Sequence, residues 1–397
     1  MKSVCDIATT VSKLCSGKCI VPFPLRCAYR LPYIFALGRM AESGLRRSTR
    51  NRVNGQLFRG FESHSFRHFS CFYVKIIDMH VHMVGNEASG NGCWLRISTG
   101  KIPLYAIMLR ALGLPAASIY RKNFDEIYRN RLLECVREST VDAVCLLAQE
   151  AVYHDNGTVR EEAGNAFVPN DYVLNLARDH EELLPAVSIH PARPDAMDEL
   201  ECCLEGGAVM MKCLPNCQNI NCNDTRFRPF WNRMAEAGLP LLAHTGGEHT
   251  LQVVKPEYAD PETLRLPLEC GVKVIAAHCA TMSGVIDPDY FPKLAQMFSE
   301  HENLYADTSA LNVPLRSYGL RRCLENESIA ARLVHGSDFP VPCSGLWAWM
   351  RGLIDSDQAM ECSRITNPIE RDYQIKVAMG FPPEKFTRIN DLLRKVD

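Results

Sequence analysis

Eight short apolar runs set the strongest limit on how this chain can fold. They lie at residues 74–77, 141–147, 184–189, 208–211, 239–243, 272–277, 304–306 and 332–334, and segments of helical period at 172–180, 196–204, 228–237 and 290–301 stand between several of them. Buried strands alternating with helices are the pattern of parallel βαβ units, and eight such units predict an α/β fold closed into a (β/α)8 TIM barrel. An open doubly wound sheet alternates in the same way, but no Gly-rich phosphate loop follows the first run. With 397 residues and 47% hydrophobic content, the chain can bury a core of that size.

Two departures from minimal barrel spacing are informative. Residues 83–140 separate the first two runs and begin with a Gly/Asn-rich piece, Gly85 to Gly92, followed by Trp94, Tyr105, Met108 and Leu109. An insertion after the first strand of a barrel sits at its catalytic mouth, so this one is expected to form a lid or a wall of the substrate pocket. After the last run, residues 347–354, 372–379 and 383–394 read as closing helices, with Trp347 and Trp349 packing on the first and a break at Pro382-Pro383.

The formal charge of −2 conceals an asymmetry: residues 1–73 hold 12 Lys and Arg against 3 Asp and Glu, leaving the remainder at −11. The segment has features of an organellar transit peptide, weaker ones of a secretory signal, and enough charge to bind nucleic acid or anionic lipid. The reading adopted is a poorly ordered basic extension or leader, with Met40 as a later candidate start, ahead of a single domain at 74–397. No apolar run approaches the roughly 20 residues of a membrane span. Eighteen cysteines are present, but Cys135, Cys145, Cys270 and Cys279 sit inside apolar runs, where a free thiol acts as a small hydrophobe. That placement points to a reducing, cytoplasmic setting, organellar targeting remaining open. Cys213, Cys217 and Cys222 lack the paired knuckles of a structural zinc site. The expected partner is a small-molecule substrate, with neither nucleic acid nor membrane; a homodimer is compatible with the sequence.

The chemistry lies at the strand ends. Ile77-Asp78-Met79-His80-Val81-His82 carries two histidines at i, i+2, which a strand directs to one side. His244 ends the fifth run, His278 ends the sixth, and Asp338 follows the eighth in Gly-Ser-Asp-Phe-Pro. Side chains at the C-terminal ends of barrel strands converge on one mouth, and four imidazoles with a carboxylate there form a metal-ligand set.

These residues, at these intervals, resemble the amidohydrolase superfamily of metal-dependent hydrolases, and most closely the amidohydrolase-related branch that includes aminocarboxymuconate-semialdehyde decarboxylase. The resemblance implies that His80, His82 and His244 bind a divalent metal, with Asp338 as a further ligand or as the base for water. His278 is then a ligand to a second metal or a group that polarises the substrate. Zn2+ suits this set best, while Mn2+, Fe2+ and Ni2+ also fit. Lys212 ends the fourth run, where binuclear relatives carry a carboxylated lysine between two ions; the preferred reading is an ammonium beside a single ion. His190 is a weaker candidate for lining the pocket, Asp78 for orienting the His-x-His strand, and Asp307-Thr308-Ser309 for bonding to substrate or to the ligands. The expected function is metal-assisted hydrolysis of a C–N or C–O bond. Non-oxidative decarboxylation of an unsaturated or aromatic acid is the alternative, and a binding barrel without catalysis ranks third.

Overall fold

The computed structural model describes residues 74–396. The expected basic extension at 1–73 lies outside the described residues.

Eight parallel strands form one sheet: β1 (Ile77–His82), β3 (Ala143–Leu147), β5 (Leu183–Val187), β6 (Met210–Cys213), β7 (Leu241–His244), β8 (Val274–Ala277), β9 (Leu304–Asp307) and β10 (Leu333–Val334), each paired to the next. Closure comes from the chain just after β10. Met79 N donates to His335 O at 3.2 Å, Asp338 N to His80 O at 2.9 Å, and His82 N to Phe339 O at 2.8 Å. The last strand is therefore bonded to the first, and the TIM barrel expected from the eight runs is present. Ile77, Met79, Cys145, Leu147, Leu242, Ile275 and Val334, all at most 2% exposed, share one packed cluster, as the inner layer of a closed barrel requires.

The helices form where apolar side chains recur at helical spacing. Phe291–Glu300 buries Phe291, Leu294, Met297 and Phe298, a stripe spaced i, i+3, i+6 and i+7 along one face. Asn170–Asp179, Ala196–Glu205 and Arg228–Glu236 repeat the pattern close to the expected bounds. At the C-terminus, Pro368–Ala378 is a full helix, whereas 383–394 divides into Pro383–Thr387 and Ile389–Leu392.

One expectation, that of Trp349, needs correction. The first strand runs through both histidines, as their i, i+2 spacing required, and Asp78 and His80 find polar partners while buried. The inserted segment has order of its own: strand β2 (Trp94–Leu95), helix α1 (Ile102–Ala111) and helix α2 (Phe124–Arg137), with β2 pairing antiparallel to β4 (Ala166–Phe167). Trp349 is 46% exposed rather than packed on its helix, Gly345–Met350.

The thirteen described cysteines are free thiols, most of them buried, as small hydrophobes would be. Cys213, Cys217 and Cys222 do not form a metal-binding group among the described residues. No described helix is long and apolar enough to cross a membrane.

Candidate metal centre

Strand β1 brings His80 and His82 to the same side, with their Nε2 atoms 3.2 Å apart. Asp338 Oδ1 approaches both, at 3.1 Å from His80 Nε2 and 3.3 Å from His82 Nε2. The loop after β10 makes this approach possible. Asp338 adopts a left-handed backbone with φ of 68°, and a Cβ at Gly336 would stand 2.8 Å from His80 Cβ. A side chain at 336 would therefore push the aspartate's loop off β1. Asp78 ties the same loop down, its Oδ1 accepting from His80 N and Ser337 N. Burial raises the Asp78 carboxyl to about 7. Its two bonds tie the His-x-His strand to the loop that carries Asp338.

Hydrogen bonds behind the histidines decide which nitrogens face the cluster. His80 Nδ1 lies 2.7 Å from Asp307 Oδ2, so its N–H donates there and the Nε2 lone pair points toward His82 and Asp338. Asp307 Oδ1 accepts from His278 N at 2.7 Å and from Ser309 Oγ at 2.6 Å. With the Ser309 proton used in that way, His278 Nδ1 donates to Ser309 Oγ, 2.8 Å away, and to Ser309 O, 3.1 Å away. That leaves His278 Nε2 as an acceptor. The Asp307-Thr308-Ser309 stretch thus holds the His80 and His278 rings and does more than cap a loop.

Electrostatics agree with neutral imidazoles. Burial holds His80 and His278 well below the ordinary histidine value, and Lys212 and neighbouring imidazoles add to the effect at His80. His244 is also lowered by burial, against the opposing pull of Glu248. His80 Nε2, His82 Nε2 and Asp338 Oδ1 converge at 3.1–3.3 Å, and a cation among them would relieve the repulsion between the inward His80 lone pair and the Asp338 carboxylate. Ligand atoms about 2.0–2.1 Å from a tetrahedral ion stand roughly 3.3–3.4 Å apart, so the spacing fits a divalent metal. The three offer atoms that all lie within 4.8 Å of one another, and they are the one such group among the described residues.

The other expected residues adjoin this group without joining it. His278 packs on His80 with ring centroids 5.2 Å apart, and His244 on His278 at 4.9 Å. His244 Nε2 is buried with no partner, a further acceptor in need of a cation or a donor. Lys212 is fully buried, its Nζ 3.3 Å from His80 Nε2, and burial lowers its pKa. All six expected site residues line a single cleft. His190 does not line it. Its Nε2 lies 3.0 Å from Gln218 O, its Nδ1 accepts from Ala192 N at 3.1 Å, and both ring nitrogens are thereby satisfied.

Sequence reasoning missed Glu248, Gln149 and Arg316. Glu248 lines the cleft four residues after His244, with Oε2 3.8 Å from His244 Nδ1. Its place in His-Thr-Gly-Gly-Glu, immediately after a strand, was a usable signal. Gln149, two residues past β3, also lines the cleft. Arg316 is buried beside the mouth and donates to Thr281 O and Gly247 O. A single arginine in a loop carries no sequence signal of that kind.

A model of the amidohydrolase family, described as "Amidohydrolase", matches residues 77–369, most of the chain. This chain belongs to the amidohydrolase family. The match begins on the first residue of β1 and spans every ligand candidate. Among solved structures, this amidohydrolase-family chain is similar to an uncharacterised TIM-barrel protein from Bordetella bronchiseptica, at 19% identity over 77% of this chain and 100% of the other, with a TM-score of 0.49. It is also similar to 5-carboxyvanillate decarboxylase from Sphingomonas paucimobilis, at 11% identity over 79% and 96% of the two chains and a TM-score of 0.46. A third likeness is to a probable 2-pyrone-4,6-dicarboxylic acid hydrolase from Acinetobacter baumannii, at 13% identity over 77% and 100%, with a TM-score of 0.41. No curated protein matches the chain.

Proposed function

We propose that this amidohydrolase-family chain is a metal-dependent hydrolase that cleaves a C–N or C–O bond of a small substrate at the mouth of the barrel. The observation that carries the reading is Asp338 Oδ1 standing 3.1 Å from His80 Nε2, whose lone pair faces it, and 3.3 Å from His82 Nε2. His80, His82 and Asp338 would hold one divalent ion, most suitably Zn2+, with His244 the nearest candidate for a further ligand. When bound, such an ion polarises a substrate carbonyl and lowers the pKa of water.

The chain's own groups supply the rest. The Asp338 carboxylate is the base within reach of a water at the cluster, and it can pass the proton on to the leaving group. His278, with Nδ1 committed to Ser309, offers Nε2 to a substrate hydroxyl or to the proton in transit. Lys212 contributes a donor against His80 and, as an ammonium, a counter-charge for a substrate oxygen. A carboxylated Lys212 would make room for a second ion; its 3.3 Å contact with a candidate ligand nitrogen favours the unmodified side chain.

Lys212 also motivates the alternative. A cation beside the ligand cluster could anchor the carboxylate of an unsaturated or aromatic acid for non-oxidative decarboxylation. The two readings separate on product: a panel of lactones, cyclic amides and unsaturated carboxylic acids is screened with the metal-loaded protein. Titratable acid or amine without CO2 is the expected result; CO2 release transfers the case to decarboxylation. On the substrate so found, Asp338→Asn keeps an oxygen for the metal but is not basic. It should lose turnover by about a hundredfold or more. Parent-like turnover would reject Asp338 as the base.

A further inference from the structure

The cleft over the cluster opens to solvent, and its two ends differ in chemistry. The floor holds the histidines, Lys212 and Asp338. The walls come from the insertion and are apolar: Leu95 on β2, Tyr105, Met108 and Leu109 on α1, then Ile119 and Phe124. Lys212 is the single lysine or arginine on the lining among the described residues, and it is committed to the floor at 3.3 Å from His80. The remaining charged group on the lining is an acid, Glu248, whose Oε2 stands 3.8 Å from His244 Nδ1 and whose Oε1 already accepts from Thr250 N and Leu251 N.

A distal carboxylate on a ligand would be stripped of water against apolar walls and would meet no lysine or arginine of the lining there. An alkyl or aryl body in the same space is removed from water without that penalty. We propose that the substrate has one polar reactive end and an uncharged apolar body, as in an alkyl- or aryl-substituted lactone, an amide or a monocarboxylic acid, and that diacids are excluded. The proposal rests on the reading above that the strand-end cluster is the reactive centre.

The test is a binding series that keeps the head group constant. Butanoate, octanoate and octanedioate are titrated calorimetrically into the full-length protein as isolated, at a pH where every carboxylate is ionised. Octanoate should bind at least about tenfold more tightly than butanoate, which has four fewer methylenes, and at least about tenfold more tightly than octanedioate. Leu95 is half-buried at the wall, so Leu95→Arg tests the missing cation without opening the core; it should narrow the gap between octanedioate and octanoate several-fold. Undetectable octanoate binding, no gain with chain length, parity of monoacid and diacid in the parent, or an unchanged gap in the variant would each overturn the proposal. The series is read without turnover. A protein that shows the predicted order but cleaves nothing in the panel loses the hydrolase reading alone, whereas an active enzyme with a flat series loses this one alone.

Discussion

Asp307 accepts four hydrogen bonds inside the protein, three on Oδ1 and one on Oδ2. It accepts from His80 Nδ1, from the backbone N–H groups of His278 and Ser309, and from Ser309 Oγ. One carboxylate thereby fixes the tautomer of His80 directly and that of His278 through Ser309, and each ring is left with a lone pair on its inward nitrogen. Asp307→Asn would set an amide N–H against one of those donors. The expected outcome is a metal affinity lower by about ten- to a hundredfold, the usual scale for groups that orient a ligand, measured by chelator competition on the Zn2+-loaded protein. A similar loss at Ser309→Ala, with melting unchanged, would assign the effect to His278; no loss at either would mean that the tautomers are set elsewhere. The residues that line the cleft floor were legible in the sequence because His80, His82, His244, His278 and Lys212 end or follow apolar runs, and Asp338 lies just beyond one. Glu248, Gln149 and Arg316 were harder to see because their positions depend on how loops fold back over the mouth, which local periodicity does not encode. His190 was misjudged for a related reason: it also follows a strand, but the carbonyl of Gln218 and the N–H of Ala192 take up its ring nitrogens.

At the scale of elements, the barrel strands and their helices were readable because burial repeats at fixed periods. The insertion was readable only as an insertion, since its order depends on partners far away in the sequence. Lys101, just before α1, donates from Nζ to Thr250 O at 2.9 Å and Leu251 O at 2.8 Å, joining the insertion to the loop after β7. Asn165 closes the same seam. Its Nδ2 donates to Tyr105 Oη, its Oδ1 accepts from Gln252 N, and its carbonyl accepts from Arg96 N. These contacts hold the apolar wall over the ligand cluster, so the wall should open as a unit when they are cut. Lys101→Met keeps the apolar stem and removes the charge-assisted bonds. Amide hydrogen exchange across residues 94–111 should accelerate several-fold, while the melting temperature stays within about 2 °C of the parent's, because barrel pairing is untouched. Exchange equal to the parent's would show that packing alone holds the wall.

For the molecule as a whole, stability against acid follows from histidines that the fold keeps neutral. Burial lowers His190 to about 4, despite opposing hydrogen bonds from its neighbours, and lowers His335 well below the ordinary value, with Lys376 adding to the effect. A histidine depressed in the native state binds fewer protons there than in the unfolded chain, so its contribution is complete above about 6.5 and is lost as the pH falls toward the folded value. Glu150 and Asp372 act in the opposite sense: burial raises both, so each favours the native state at low pH and loses that contribution as the pH rises. His190 is the cleaner probe, lying away from the ligand cluster and 1% exposed. Gln can imitate the N–H that His190 directs at Gln218 O, but it does not titrate. Between about pH 7.5 and pH 5, the parent should therefore lose about 2 kcal/mol more stability than His190→Gln, from a folded value near 4 against 6.5 unfolded. Urea unfolding of both proteins at matched pH values gives that difference directly, with metal removed so that pH-dependent metal binding does not contribute. If the two curves stay parallel down to pH 5, the acid sensitivity of the fold comes from other groups, and His335, buried against Tyr373 and Phe386, is the next to replace.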